Sequence, residues 1–468
     1  MSTAAPLDVF PKIKPPLDPD FVPAVLWNQA YAVRCGADGK ARPLSLALER
    51  PDGTVSVFNT TVLSDAAENR PLTLRYVERL VKFLLWQRGG ARLLVGGAPE
   101  VAEALGRIYS AEGARAFDAD FMGPKVYGRP LVIEARGLSE MPEARETSMA
   151  LGRHRDGCRI GFDLGGSDRK CAAVIDGEVV FSEEVPWDPY FQADPQYHYD
   201  GIQDTLKRAA AHLPRVDAIG GSSAGVYVSN EVRVASLFRG VAPRDFEARV
   251  RRLFFDLQKE WGGVPFEVVN DGEVTALAGS MAMNENRVLG ISLGTSQAVG
   301  YVDANGSIRP WLNELAFAPI DYRENGPVDE WSGDAGCGVQ FFSQQGVARL
   351  APLAGITLPE DMKFAERLVE VQELMAKGDP RAQLVYETIG VCFGYALAHY
   401  ADFYDVANIL ILGRVTSGAG GEVIITRARE VLTAEFPDLA SRLRLTTPDE
   451  TQKRHGQAVA AASLPPLR

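Results

Sequence analysis

An α/β fold is predicted by three features of this 468-residue chain. Apolar strand-like runs alternate with helical stretches, glycine turns stand at the ends of several such runs, and a strand–strand–helix–strand order occurs twice. With 46% hydrophobic residues, the chain can bury two or three domains. A net charge of −12 argues against nucleic acid or an anionic membrane as a partner. No apolar run has transmembrane length, and the first residues carry no basic-plus-apolar signal pattern, so a cytoplasmic location is expected. Five scattered cysteines form no CxxC pair, which disfavours a disulfide framework and a thiolate zinc cage.

In chain order, residues 1–27 read as a proline-rich arm. Residues 28–138 hold strand runs at 43–48, 55–62 and 92–96 and helices at 74–87 and 99–109. Residues 139–157 are polar, turn-forming and linker-like. The order then restarts: 159–175 and 178–185 form a hairpin through Asp176-Gly177, a favoured turn pair, before a helix near 199–213 and a strand at 216–221. Where this second copy has Asp163 before its glycines, the first carries Arg34 before Cys35-Gly36, which marks the first as a degenerate half with a packing, capping or interface role. Residues 158–272 and 273–468 are expected to form a smaller and a larger lobe. Within them a strand ends at Asn270, a helix covers 272–283, and strands lie at 288–293 and 298–302. Helices dominate 363–403, a strand covers 408–413 and a helix 421–436.

Four motifs carry chemistry. In Ile160-Gly-Phe-Asp-Leu-Gly-Gly-Ser-Asp-Arg-Lys170, Asp163 ends an apolar strand and is followed by Gly165, Gly166, Ser167 and Lys170. Such a turn lets backbone N–H groups and a cation approach a polyphosphate while the carboxylate holds hydrated magnesium. A plain hairpin turn is the competing reading. Asn270-Asp271-Gly272-Glu273 places a carboxylate at a strand–helix junction, which suits a general base, beside an amide that can bind a substrate hydroxyl; a helix N-cap competes. Leu293-Gly-Thr-Ser-Gln297 offers glycine, hydroxyls and backbone N–H groups to phosphates, although no GxxxxGK[ST] loop occurs. Asn408-Ile-Leu-Ile-Leu-Gly-Arg-Val415 ends a strand in glycine, where an adenine ring can lie against backbone.

In this order and spacing, the four motifs resemble the sugar kinase/actin/Hsp70 superfamily. Within it they are most similar to the ROK family of bacterial glucokinases, other sugar kinases and sugar-responsive repressors, over residues 158–465. Gly221-Ser-Ser-Ala-Gly225 with Phe238-Arg-Gly240 looks like that family's sugar-site loop, and Arg454-His-Gly-Gln-Ala-Val-Ala-Ala-Ala462 like its terminal helix. The resemblance implies two RNase H-like (actin-like ATPase) lobes around a cleft, preceded by a degenerate RNase H-like segment. It implies ATP and Mg2+ as cofactors, with Asp163 orienting magnesium through water and Asp271 as catalytic base. Asn270, Glu314, Ser223 and Gly225 would meet the substrate. Gly165, Gly166, Ser167, Lys170, Gly294 and Thr295 would hold phosphates, and Gly413 would back the adenosine. The partners to look for are a small carbohydrate-like molecule and a second copy of the chain in a homo-oligomer, with no nucleic acid and no membrane.

The pattern also breaks. The family's Glu-x-Gly-His reads Glu314-Leu-Ala-Phe317, and its cysteine-rich zinc loop ending Gly-Cys-x-Glu reads Gly336-Cys337-Gly338-Val339. Zinc is therefore not expected. Phe317 and Val339 are expected to give the acceptor pocket an apolar wall, favouring a less polar or modified polyol. Trp187, Tyr190, Phe191, Tyr197 and Tyr199 either roof a sugar or pack an interdomain surface. The leading expectation is an ATP-dependent carbohydrate kinase. The alternative is a catalytically weak sugar- or nucleotide-binding regulator or scaffold. An activator of a redox enzyme would bring paired cysteines for an iron–sulfur cluster, and the chain has none.

Overall fold

The computed structural model describes residues 7–146, 151–447 and 450–467; part of the expected linker, 147–150, lies outside them. In the N-terminal region α1 (Ala24–Ala37), β1 (Arg42–Glu49), β2 (Val55–Val62), α2 (Arg70–Arg88), β3 (Arg92–Gly96), α3 (Pro99–Ile108), α4 (Ala116–Asp120) and β4 (Val132–Arg136) build a sheet in the order β2-β1-β3-β4. The first lobe contains β5 (Cys158–Leu164), β6 (Asp168–Ile175), β7 (Glu178–Pro186), α5 (Pro195–Ala210) and β8 (Ala218–Ser223). It continues through β9 (Val226–Val228), β10 (Glu231–Val234), α6 (Pro243–Asp245), α7 (Leu253–Glu260) and β11 (Phe266–Asn270), giving the order β11-β8-β5-β6-β7. The second lobe holds α8 (Asp271–Met283), β12 (Val288–Leu293), β13 (Gln297–Val302), α9 (Gln344–Leu353), α10 (Phe364–Ala376) and α11 (Pro380–Ala401). After these come β14 (Asn408–Leu412), α12 (Ala419–Glu435), α13 (Pro437–Arg442) and β15 (Arg444–Thr446), in the sheet β13-β12-β14-β15, and finally α14 (Glu450–Ala462).

Local chemistry explains the main boundaries. Asp176 and Gly177 both take positive φ (49° and 86°), matching the two-residue turn between β6 and β7. Asp194 and Asp379 cap α5 and α11 by accepting the N–H of Gln196 and Arg381, each ahead of a proline in the first turn. Gly89, at φ 71°, ends α2.

The repeat needs two corrections. Residues 159–175 are two strands, not one, because the Gly165–Ser167 turn breaks the run; and Arg34-Cys35-Gly36 lies in the last turns of α1, so it is no counterpart of the Asp163 turn. Three strands therefore precede α5 and only two precede α2. The chain leaves the two sheets from opposite ends, so β8 runs parallel to β5 while β3 runs antiparallel to β1.

The N-terminal sheet does not stand alone. The helices that cover it bury Trp27, Phe83, Trp86 and Met122 in one core with Leu289, Tyr301, Phe342, Tyr400 and Ile411 of the second lobe. The arm is strapped to the same lobe: Leu17 N–H donates to Thr388 Oγ1 (3.1 Å), and Arg323 and Arg349 pair with Asp18 (2.6 and 2.9 Å). The first lobe keeps its own core around Ile160, Phe162, Leu206 and Phe254. No helix among the described residues is long and apolar enough to cross a membrane.

Helix α14 returns to the first lobe and lies across β5, β6 and β8, with Ala458 and Ala462 against Ala172 and Val174. Gly161 and Gly220 make that approach possible, since a Cβ on either would collide with the carbonyl oxygen of Ala458 or Ala461. Gly161→Val is expected to lower stability by about 1–3 kcal/mol, the usual scale of overpacking. An unchanged urea midpoint would mean that the helix is not seated on this strand.

Candidate functional site

The parallel strands β5, β8 and β11 end side by side, with Asp163 in register with Ser222 and Ser223 in register with Asn270. Asp163, Ser223, Asn270 and Asp271 thereby gather at the carboxyl edge of one sheet, where open α/β sheets present ligand sites. Asp163 is buried and accepts a hydrogen bond from Ser222 Oγ (2.6 Å). Lys170, opposite it on β6, brings Nζ to 3.7 Å from Asp163 and 3.0 Å from Asp168. Burial pushes the Asp163 carboxyl up, and the Ser222 hydrogen bond and Lys170 pull it back.

Asp271 is the first residue of α8, and Asn270 is its cap. The Asn270 Oδ1 accepts the Gly272 N–H (2.8 Å) and its Nδ2 donates to the Gly225 carbonyl (2.7 Å). The amide expected to face a substrate hydroxyl thus also ties the Gly225 loop to the start of the helix. Burial, then the neighbouring Asp163, push Asp271 up to about 6. Glu314 is raised to about 7 by burial and by Asp271. Ser223 accepts from Tyr227 Oη (2.6 Å) in the same corner. Sequence reasoning assigned no role to Ser222 or Glu273. Glu273 is buried and pushed up to about 8 despite a hydrogen bond from Asn313 Nδ2 (3.4 Å). Its place two residues after Asp271, on the same helical turn, was the available signal.

The first glycine turn is held from one side. Gly165 N–H donates to the Asp168 carbonyl (2.9 Å), Ser167 Oγ donates to the Asp168 carboxylate (3.0 Å), and Trp187 reaches both ends. Its backbone N–H donates to Ser167 O (3.0 Å) and its indole Nε1 to Gly165 O (2.7 Å). The Tyr190 hydroxyl lies over Gly166 where a side chain would otherwise sit, and Arg239 stacks on the Tyr190 ring at 3.8 Å. Of the aromatic cluster, then, Trp187 and Tyr190 bear on this turn, whereas Phe191 is exposed.

In the second lobe, Gly294, Thr295 and Ser296 form the turn of the β12–β13 hairpin, with the two hydroxyl residues exposed. Gly413 ends β14 at φ 103°, where a Cβ would strike the Leu293 backbone, so Gly294 and Gly413 sit at touching turns.

The expectation of an apolar pocket wall needs correcting. Phe317 stacks on Trp86 of α2 (4.4 Å between centroids) and packs against Phe117 and Phe121. Val339 is buried in a small cluster with Ala316 and Cys337. Both side chains are taken up by packing, so neither argues for a less polar acceptor. Burial pushes the Cys337 thiol up to about 12, with Lys82 opposing. Among the described residues no group of three or more His, Cys, Asp or Glu is arranged to hold a metal ion.

No protein-family model and no curated protein matches this chain. Solved structures do. A ROK hexokinase from Thermus thermophilus is 19% identical, the match covering 65% of this chain and 96% of that one, with a TM-score of 0.52. A ROK family transcriptional regulator, a homologue of the E. coli MLC protein, is 18% identical over 69% of this chain and 81% of its own, also at a TM-score of 0.52. The chain shares the α/β fold of these proteins.

Proposed function

We propose that this chain is a divergent ROK-family kinase that transfers the γ-phosphoryl group of ATP to a hydroxyl of a sugar or sugar-like polyol. The observation that carries the reading is the placement of Asp163 on β5 and Asp271 just after β11, the two strands that flank β8, with Asp163 raising the Asp271 carboxyl and Asp271 raising that of Glu314 in the loop after β13. Burying them together is costly unless the site receives cations or protons. The three carboxylates do not form a metal cage among the described residues, but the hard oxygen of Asp163 suits a magnesium ion that keeps most of its waters and is shared with phosphates. Asp163 would hold that ion through water, and when bound it would neutralise charge on the β- and γ-phosphates.

In this reading Asp271 takes the proton of the acceptor hydroxyl while its oxygen bonds to the γ-phosphorus. The bond to the bridging oxygen breaks, and ADP leaves with that electron pair. Glu314, Ser223 and Gly225 orient the acceptor, and Asn270 fixes the base by capping its helix. Gly165, Gly166, Ser167, Lys170, Gly294 and Thr295 receive phosphates, and Gly413 backs the adenosine.

The pH profile tests the base. Asp271 must be ionised to accept a proton, so kcat/KM should fall as pH drops through about 6, the value its surroundings impose. A profile that stays flat down to about pH 4, where an ordinary aspartate titrates, would rule out a base raised as Asp271 is by its surroundings.

A second reading, a sugar- or nucleotide-binding regulator, is favoured by one observation: the Asn270 amide is engaged at both ends within the protein. ADP release across hexoses, amino sugars, N-acetyl sugars and cyclitols separates the two. Turnover on one compound supports the kinase. ATP binding without turnover on any favours the regulator.

A further inference from the structure

The N-terminal region reaches the candidate acceptor site through the end of one helix. A helix leaves its last four carbonyls without intrahelical partners. In α2 two of them are taken by the loop that carries Glu314: the Trp86 carbonyl accepts the Glu314 N–H and the Gln87 carbonyl accepts the Asn313 N–H, both at 2.9 Å. Side chains reinforce the join. The Trp86 ring stacks on Phe317, and its indole N–H donates to Asp118 Oδ1 (2.6 Å). Asn313, fully enclosed, accepts from Tyr404 Oη (2.8 Å) and donates to Glu273, which shares the first turn of α8 with Asp271. An unbroken series of contacts therefore runs from α2 through Asn313 and Glu314 to the helix that begins with the proposed base.

The same region touches the other side of the site. Residues 121–127 pack against β9 and β10, the hairpin that follows Ser223 and Gly225, and Val226 shares a core with Phe121 and Val126. The N-terminal domain thus bears on the acceptor corner from both lobes.

We propose that Trp86 and Phe317 are positioning residues for Glu314, and that the N-terminal domain sets the affinity for the acceptor without touching it. This rests on the reading of Glu314 as an acceptor-binding group. The aromatic pair fixes the loop at one end and Asn313 fixes it at the other, so the backbone of Glu314 has a single seat on the α2 terminus. Nothing in this arrangement involves the glycine turns assigned to phosphates.

The test combines hydrogen–deuterium exchange with steady-state kinetics on the full chain carrying Phe317→Ala, Phe317→Tyr or Trp86→Phe. Exchange at the Asn313 and Glu314 amides should rise in Phe317→Ala while β5, β8 and β11 stay protected, and Phe317→Tyr should restore protection. The acceptor kcat/KM should fall, toward about 100-fold for a displacement near 1 Å, with the KM for ATP unchanged. Unaltered exchange over residues 311–317 in a folded Phe317→Ala protein would overturn the proposal, as would parallel losses for ATP and acceptor. The exchange measurement needs no substrate, so it decides the positioning role even if wild-type protein phosphorylates nothing. Absence of turnover in the wild type would instead count against the kinase reading. If Phe317→Ala fails to fold, raised exchange at the same two amides in Trp86→Phe supports the proposal and unaltered exchange there overturns it.

Discussion

Replacing Asp271 by asparagine is expected to lower turnover by roughly 10²–10⁴, the contribution of a positioned general base, while ATP binding stays near the wild-type level. The substitution keeps the shape of the side chain and leaves the Asn270 cap on Gly272 in place, so α8 still starts where it does. What changes is the capacity to accept a proton and the negative charge facing Asp163 and Glu314. With that charge gone, Glu314 should titrate lower, and any remaining activity should lack the acid limb near pH 6 that Asp271 sets. ADP release and nucleotide binding by calorimetry read the two properties separately. Full turnover in the variant would remove Asp271 from the mechanism, and loss of nucleotide binding alongside turnover would mean that its role lies in binding.

Lys82→Met is expected to destabilise the protein by about 3–5 kcal/mol, because removing one partner of a buried ion pair strands the other. Lys82 is fully buried, with Nζ 3.1 Å from Asp118 and 3.0 Å from Asp334. Asp334 keeps Arg79 (3.0 Å) and Arg115 (2.6 Å) in the variant, so Asp118 is the group left, among the described residues, with the Trp86 indole alone. Burial already holds the Asp118 carboxyl above its ordinary value, chiefly against the opposing pull of Lys82. A carboxyl raised in the folded state binds protons more tightly there than in the unfolded chain, so stability is greatest at low pH and declines as pH rises through the folded value. The deficit of Lys82→Met should therefore shrink in acid, and a second substitution, Asp118→Leu, should recover part of it. A urea midpoint that does not move, or a deficit that grows in acid, would show that the pair does not carry this load.

Much of the first lobe and its strand ends was legible because local pattern and function coincide there. An apolar run ending at Asn270 followed by a helical stretch marks both a strand–helix junction and a candidate base, and β11 and α8 meet at that residue. The apolar runs on either side of the Gly294 motif are β12 and β13, and the motif is the turn of their hairpin, with the Thr295 and Ser296 side chains exposed. What was not legible depended on partners distant in sequence. Phe317 reads as a pocket wall because nothing near it in the sequence reveals Trp86, a residue of α2 far upstream. Arg34 was aligned with Asp163 by order alone, although the buried series Trp27, Tyr31 and Cys35 carries the spacing of a helix face. The missed break between β5 and β6 had the same origin, since apolar residues on both sides of a short polar turn read as one long strand.

The seat of α14 has a consequence for how the molecule is made. The face of β5, β6 and β8 that carries Gly161, Gly220, Ala172 and Val174 is synthesised long before the alanines that cover it. On the ribosome this strip of sheet must wait, open to solvent, while the whole second lobe emerges. A chain arrested before residue 450 would expose a smooth, side-chain-poor apolar stripe, and such a nascent product is a natural client for chaperones.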